Sequence, residues 1–250
     1  RPLLPAATTT TMPDCHALCA DLEQAKEQIV VRFDLAWRIL EECGFRMPDD
    51  FEAGLRATEE FYEKNKDFII AYAKRWGKPI LVERWSHQFF YYAFKYEWNF
   101  VDANLKAAAL TTDQIDTENA KRFEITYTDA EGKDRHPFIL HLSPSGAIER
   151  VMYALLEKAN FDREAGRPPM LPLWLSPVQV RLIPVSKDYL PHCESLLEAL
   201  PDARVDLDDS GDTLNKMIRR AEKEWVPYIG VVGSKEVEAK ILRLFHVEKW

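Results

Sequence analysis

The chain has 250 residues, of which 46% are hydrophobic and only 9 are glycine, so its composition excludes a disordered, low-complexity or fibrous protein. The net charge of −8 argues against non-specific DNA binding, which needs a basic face to neutralise phosphates. No apolar run approaches the roughly 20 residues of a membrane span, and the first residues are too weakly hydrophobic for a signal peptide. The four cysteines are too few for a disulfide scaffold, so we expect a soluble protein of the reducing cytoplasm.

The first part of the chain predicts two long helices followed by strands. Residues 18–43 place apolar side chains three or four positions apart, and Gly44 follows as a natural stop. A second helix is predicted over 52–76, where Gly77 ends it. Residues 80–100 are dense in Phe, Tyr, Trp and Val, which favour the half-buried surface of strands.

Two further strands and a helix are predicted in the middle of the chain. Residues 122–128 and 137–142 flank the turn sequence DAEGKD, which is typical of an antiparallel hairpin. The apolar positions of residues 146–158 share one helical face. These elements together predict an antiparallel α+β unit.

The remainder of the chain predicts a second unit behind a linker. Residues 166–177 are rich in proline, which disfavours both helix and central strand, so we interpret them as an extended linker. Strands then alternate with helices, which predicts a sheet with parallel strands covered by helices. The strands are expected at 178–185, 203–207 and 226–232, and the helices at 187–199, 212–224 and from Ser234 onward.

The sequence contains no glycine-rich phosphate loop, GxSxG or HExxH motif, which removes several common enzyme classes. A first polar cluster lies in TMPDCHALC, where Asp14 and His16 are separated by one residue. On an extended segment both side chains point to the same face. They could offer a carboxylate to an ammonium group and an imidazole to a metal. The alternative is that Asp14 is the N-cap of the first helix.

Two more polar clusters lie in segments that otherwise resemble core. His141 interrupts the apolar strand PFILHL, and Arg150 follows at the start of a helix. A lone strand histidine is more often a hydrogen-bonded core residue, and two histidines alone are a weak indication of a zinc site. Thr112, Gln114 and Asp116 have a period of two, which predicts either a polar floor or an ordinary solvated sheet face.

In this order, the clusters resemble threonyl-tRNA synthetases of the archaeal type. The resemblance covers nearly the whole chain and rests on residues 11–25, 112–157 and 171–238. It implies a partial α+β antiparallel sheet like that of class II synthetases, followed by an α/β anticodon-binding domain. The implied boundaries are a partial catalytic domain over 1–165, a linker over 166–177 and the anticodon-binding domain over 178–250.

The resemblance also implies a zinc-dependent threonine site. His16 and His141 match two of the three protein ligands of the zinc ion, which binds the amino group and hydroxyl of threonine in this family. Asp14 matches the carboxylate that receives the threonine ammonium, and Gln114 and Tyr92 match positions that line the amino-acid pocket. A site that demands a hydroxyl ligand rejects valine far better than a hydrophobic pocket does.

The remaining implied residues contact ATP and tRNA. Thr112 and Arg150 match ATP contacts, and Arg150 matches the catalytic arginine that neutralises charge on the Mg²⁺-bound triphosphate. Arg219 and Glu236 match contacts to anticodon bases, although a solvated helix face would explain both. The implied cofactor is Zn²⁺, and the implied partners are L-threonine, ATP and tRNA(Thr).

Some family features have no counterpart in these residues. They are the first class II motif, which forms the dimer, the ATP-binding arginine of the second motif, and the cysteine that is the third zinc ligand. Cys15 does not replace that cysteine, because it alternates away from His16. We therefore expect a homodimeric full-length protein that makes threonyl-adenylate and threonyl-tRNA, while this chain alone is inactive. The alternative is an inactive truncated paralogue or fragment that binds tRNA or a protein partner.

Overall fold

A computed structural model describes residues 11–239 and 241–247. The chain divides into two compact units between Leu155 and Leu156. None of the helices in the described residues is long and apolar enough to cross a membrane.

The first unit is built on a six-stranded sheet with the strand order β1-β8-β5-β4-β2-β3. Strands β2 and β3 are parallel and the other neighbours are antiparallel. A two-stranded ribbon, β6–β7, lies outside this sheet. The elements are β1 (Cys15–Cys19), α1 (Leu22–Glu42), β2 (Glu52–Thr58), α2 (Glu59–Lys64), α3 (Lys66–Trp76), β3 (Ile80–Trp85), β4 (Tyr92–Val101), β5 (Ala107–Asp116), α4 (Asn119–Arg122), β6 (Tyr127–Thr128), β7 (Asp134–Arg135) and β8 (Phe138–Ser143).

The first helix begins later than its periodicity predicted. Residues 15–19 form a strand, and α1 begins after Asp21, whose carboxylate accepts a hydrogen bond from the Gln24 backbone N–H at 2.8 Å. Because Asp21 is the N-cap, the alternative role of Asp14 as the cap is wrong.

The prediction of one helix over 52–76 is wrong in its first part. Ala53, Leu55 and Ala57 are buried and alternate with the less buried Glu52, Gly54 and Arg56, so this segment follows the period of two that strands require. The helical period begins after Thr58, whose hydroxyl accepts a hydrogen bond from the Phe61 backbone N–H at 3.1 Å.

The strand predicted over 122–128 is mostly wrong, whereas the turn beside it forms. Asp116 accepts hydrogen bonds from the backbone N–H groups of Glu118 and Asn119, both at 2.9 Å, next to the start of the short helix α4. Only Tyr127–Thr128 pairs with a second strand, and the DAEGKD turn connects the two.

Aromatic side chains form the core on one face of the sheet. Phe94, Tyr96, Trp98 and Phe100 alternate along β4 and are all buried. The ring of Phe33 on α1 lies 4.9 Å from that of Trp98, centroid to centroid. Helices cover this face, so Lys95, Glu97 and Asn99, which alternate with the aromatic residues along β4, lie on the other face.

Helix α5 (Ile148–Glu164) spans the boundary between the units. The second unit has a four-stranded sheet of order β10-β9-β11-β12, in which β9, β10 and β11 are parallel and β12 is antiparallel. The predicted sheet of parallel strands alternating with helices is therefore confirmed. Its elements are β9 (Val180–Pro184), α6 (Leu190–Ala199), β10 (Val205–Leu207), α7 (Leu214–Lys223), β11 (Tyr228–Val232), α8 (Ser234–Ala239) and β12 (Leu244–His246).

Candidate aminoacyl site and RNA-binding cleft

One row of polar side chains crosses five strands of the first sheet. Strand pairing places Arg56 opposite Lys95, Lys95 opposite Gln114, Gln114 opposite His141, and His141 opposite His16. Directly paired residues point to the same face of a sheet. The row therefore lies on the face opposite the aromatic core, and we call it the polar row.

The two histidines of the polar row are in contact. Their ring centroids are 4.6 Å apart in a T-shaped arrangement. The Nε2 atom of His16 lies 3.8 Å from the Asp14 carboxylate, and the Nε2 atom of His141 lies 2.9 Å from Oδ2 of Asp116. Asp116 is 1% exposed, so its carboxylate fixes the orientation of the His141 ring. The structure thus brings Asp14, His16 and His141 together.

Gln114 presents an unsatisfied polar atom beside these rings. Its Oε1 atom is buried and has no hydrogen-bond partner among the described residues. A buried acceptor without a partner is costly, which indicates a position where a ligand could donate a hydrogen bond. Tyr91 is adjacent, with its ring 5.4 Å from that of His141. Burial and the charge of Asp116 raise the pKa of Tyr91, and a hydrogen bond with Gln114 offsets part of this.

Tyr92 lies in a different environment from Tyr91. Its ring stacks on Phe90 at 5.3 Å and lies 5.9 Å from Trp85. A bulge follows Tyr92 in β4, and two successive tyrosines in the FFYY run give no sequence signal for which one faces the histidines. Sequence reasoning therefore missed Tyr91.

The other end of the polar row is a network of two cations and two carboxylates. Arg56 donates hydrogen bonds to Glu83 at 2.7 Å and to Glu97 at 2.8 Å, while Nζ of Lys95 lies 3.0 Å from Glu97. Burial lowers the pKa of Arg56, but the two carboxylates more than offset it and the pKa is raised. The two carboxylates therefore balance the two cations and hold them in fixed positions. Sequence reasoning missed Arg56 because its segment was predicted to be helical.

Thr112 lies on β5, and Arg150 contacts the same strand from α5. Thr112 pairs with Glu97 on one side and with Ser143 on the other. Arg150, in the first turn of α5, is exposed and donates a hydrogen bond from Nη1 to the Ala109 carbonyl at 2.9 Å. This bond anchors the guanidinium to the strand that carries Thr112, and their roles toward ATP stay predictions.

The described residues do not complete a metal site. Within residues 11–239 and 241–247, no group of three His, Cys, Asp or Glu side chains is arranged to hold a metal ion. Two neighbouring imidazoles suit zinc chemically, but zinc sites use at least three protein ligands. Cys15 points to the opposite face, where its Sγ atom lies 3.8 Å from Nη1 of Arg32.

The second unit contains a cleft of ≈ 550 Å³ with a basic lining. Arg163, Arg219 and Lys223 contribute cations, and Glu222 and Trp225 also line the cleft. Arginine and lysine neutralise phosphates, and aromatic rings stack on unpaired bases. Glu236 lies in α8, where its carboxylate accepts a hydrogen bond from the Gly233 backbone N–H at 3.1 Å.

A polar row on one face of an antiparallel sheet, helices on its other face and a following α/β unit with a basic cleft define the architecture of a class II aminoacyl-tRNA synthetase. Residues 9–159 match the family described as "tRNA synthetase class II core domain (G, H, P, S and T)", and residues 179–249 match "Anticodon binding domain". The chain therefore belongs to the class II synthetase family with this core.

The similar curated proteins are threonine–tRNA ligases of archaea. The chain is 54% identical over 231 residues to that of Pyrococcus horikoshii, which covers 92% of this chain and 37% of the relative. It is 51% identical over 228 residues to that of Methanosarcina acetivorans, which covers 91% of this chain and 36% of the relative. The chain thus spans little more than a third of the length of these relatives.

A solved structure confirms the fold. The RNA-binding domain of threonyl-tRNA synthetase from Cryptosporidium parvum superposes with a TM-score of 0.73 at 24% identity and covers 95% of this chain and 58% of that chain.

Proposed function

We propose that these residues belong to a threonine–tRNA ligase that activates L-threonine with ATP and transfers it to tRNA(Thr). The observation that carries the proposal is the contact between His16 and His141 on neighbouring strands, beside the unsatisfied Oε1 atom of Gln114. More than 50% identity to threonine–tRNA ligases supports the choice of amino acid. We keep 1–165, 166–177 and 178–250 as the proposed domain boundaries, and we place the reaction in the cytoplasm.

The amino-acid end of the site follows from the polar contacts. Asp14 provides a carboxylate for the threonine ammonium, and Gln114 provides an acceptor for a donor group of the substrate. Tyr91 lies beside His141, where it could contact the bound amino acid, while the Tyr92 ring stacks on Phe90. A site whose polar groups form hydrogen bonds with the threonine hydroxyl discriminates strongly against valine, which lacks this hydroxyl.

The ATP end of the site follows from charge. Arg150 carries an exposed guanidinium anchored to β5, and Thr112 is the nearest predicted ATP contact along that strand. With Mg²⁺ bound to the triphosphate, a fixed guanidinium would stabilise the charge that develops when the threonine carboxylate attacks the α-phosphate and the bond to the β-phosphate breaks, releasing pyrophosphate.

Zinc would be held by His16, His141 and a ligand from outside the described residues. When bound, it would supply a Lewis acid for the amino group and hydroxyl of threonine. Because two protein ligands leave the shell incomplete, we expect weak zinc binding by this chain and tighter binding by a longer one. The longer chain is proposed to act as a homodimer.

The second unit is proposed to bind the tRNA anticodon through the basic cleft. Arg219 lines it directly together with Lys223 and Trp225, so a cation and a stacking surface are available to one nucleotide. Glu236 can accept hydrogen bonds from base amino groups at a second position, on α8.

A second candidate function is a binding module without catalysis. The incomplete set of metal ligands among the described residues favours it, and the basic cleft would still bind tRNA.

Threonine-dependent ATP–pyrophosphate exchange separates the two candidates. We expect exchange from a chain extended to the length of the relatives and none from the 250 residues. His141→Ala in the longer chain should abolish exchange. The matched control is His136→Ala, because His136 is exposed, lies outside the polar row and has its Nδ1 atom 2.9 Å from the Ile125 carbonyl oxygen. No exchange from the longer chain would support the binding module.

A further inference from the structure

The helix-covered face of the sheet contains a buried ion pair directly behind the polar row. Arg32 of α1 donates from Nε to Oδ2 of Asp113 at 2.8 Å and from Nη2 to Oδ1 at 3.0 Å. Arg32 is 5% exposed and Asp113 is 0% exposed. The same Nη2 atom donates to the Cys15 carbonyl at 2.7 Å. One guanidinium therefore joins α1 to both β1 and β5.

The two strands held in this way carry the residues of the polar row. Cys15 lies between Asp14 and His16 in the chain, and Asp113 precedes Gln114. Neighbouring residues of a strand point to opposite faces. The guanidinium therefore binds Cys15 and Asp113 on the helix-covered face, while their chain neighbours point to the face that carries the polar row. Strand β8, with His141, lies between β1 and β5 in the sheet.

We propose that Arg32 is a positioning residue that fixes β1 relative to β5 and thereby sets the separation of the His16 and His141 rings. Strand β1 is one of the two edge strands of the described sheet and pairs only with β8 among the described residues. The hydrogen bond from Arg32 to the Cys15 carbonyl connects β1 to helix α1. The planar guanidinium reaches a carboxylate and a carbonyl at once, which the single ammonium of lysine cannot reproduce.

Stability alone does not account for the pair. A buried ion pair is commonly replaced by two hydrophobic residues without loss of stability, whereas removing one partner is strongly destabilising. Burial lowers the pKa of Arg32, but the hydrogen bonds and charge of Asp113 more than offset it and the pKa is raised. The guanidinium therefore stays charged. Its hydrogen bonds to Asp113 and to the Cys15 carbonyl fix a geometry that an apolar pair of side chains does not provide.

The test is the nuclear Overhauser effect between the His16 and His141 rings in the 250-residue chain. A shift of β1 by about 1 Å from a centroid separation of 4.6 Å lowers this effect roughly threefold, because it follows the inverse sixth power of distance. We expect this loss in Arg32→Lys. We also expect it in the Arg32→Met/Asp113→Leu double variant, whose unfolding free energy should be close to that of the wild type.

The control is Arg46→Lys, because Arg46 also donates two hydrogen bonds to one carboxylate, that of Asp50, but on the exposed surface outside the site. It should leave the ring contact unchanged. A double variant that folds and keeps the full ring contact would overturn the proposal, and so would an equal loss in the control. If Arg32→Lys does not fold, the double variant alone decides.

The consequence for activity rests on the proposed function, whereas the ring contact does not. In the longer chain, Arg32→Lys should lower kcat/KM for threonine by about 100-fold and leave the KM for ATP unchanged. A lost ring contact with unchanged kcat/KM would reject the assigned threonine site and keep the positioning role. A retained ring contact would reject the positioning role alone.

Discussion

The turn before α5 requires a glycine, and this requirement gives a quantitative prediction. Gly146 has φ +74°, and a Cβ atom added there would lie 2.5 Å from the Leu110 carbonyl oxygen. The left-handed conformation costs an alanine about 1 kcal/mol, and relief of the clash with the backbone costs about 2 kcal/mol more. Gly146→Ala should therefore lower the free energy of unfolding by about 3 kcal/mol.

The control for this substitution is Gly132→Ala. Gly132 has φ +77°, but an added Cβ would meet nothing within 4 Å, so only the conformational cost of about 1 kcal/mol applies. The gain from restricting the unfolded chain is the same in both variants. Their difference therefore isolates the close approach to β5.

Urea denaturation followed by tryptophan fluorescence measures both variants, because Trp76 and Trp98 of the first unit are fully buried. We expect a larger decrease in the transition midpoint for Gly146→Ala, with the slope m unchanged. An equal decrease in the free energy of unfolding for the two variants would refute the argument that the close approach to the Leu110 backbone, rather than the positive φ, requires glycine at position 146.

Two further predictions concern buried polar groups. Burial raises the pKa of Asp208, but hydrogen bonds from Ser210 and the charge of Arg220 more than offset it, so the pKa is lowered. The ionised form thus stabilises the second unit above the usual aspartate pKa, and this contribution is lost as the pH falls through the lowered value. Asp208→Asn should cost about 1 kcal/mol at neutral pH, a value reduced for solvent screening. In an acid denaturation series the difference should start to fall below about pH 4 and vanish only below the lowered pKa of Asp208. Trp98 donates from Nε1 to the buried Tyr72 hydroxyl at 2.9 Å, so Trp98→Phe should cost about 2 kcal/mol or more in thermal unfolding, and a neutral effect would show that the hydrogen bond contributes nothing.

The sequence predicts the fold where one period dominates. The helical spacing around Ile29 and Phe33 and the β/α alternation after the linker are both found in the structure. The helix prediction over 52–76 failed in its first part because small apolar side chains do not distinguish the helical period from the strand period. Ala53, Leu55 and Ala57 fit a strand, but the strong helical pattern of the next twenty residues masked them.

The candidate site was predicted in part, and mainly through the resemblance. Asp14 and His16 share a face because they are two residues apart in an extended segment, which is local information. Their proximity to His141 depends on the pairing of β1 with β8, which no local pattern encodes. Lys95 was missed although KYEWNF alternates polar and aromatic residues, because the alternation shows which residues share a face and not that this face carries a site.

The central claim is that the polar row binds threonine through Gln114 and the two histidines. Calorimetric binding of a non-hydrolysable threonyl-adenylate analogue to the longer chain tests it most directly. We predict that the valyl analogue binds about 100-fold more weakly than the threonyl analogue, and that Gln114→Met weakens the threonyl analogue by about tenfold through loss of one hydrogen bond. Equal affinity for both analogues, together with no effect of Gln114→Met, would contradict the account.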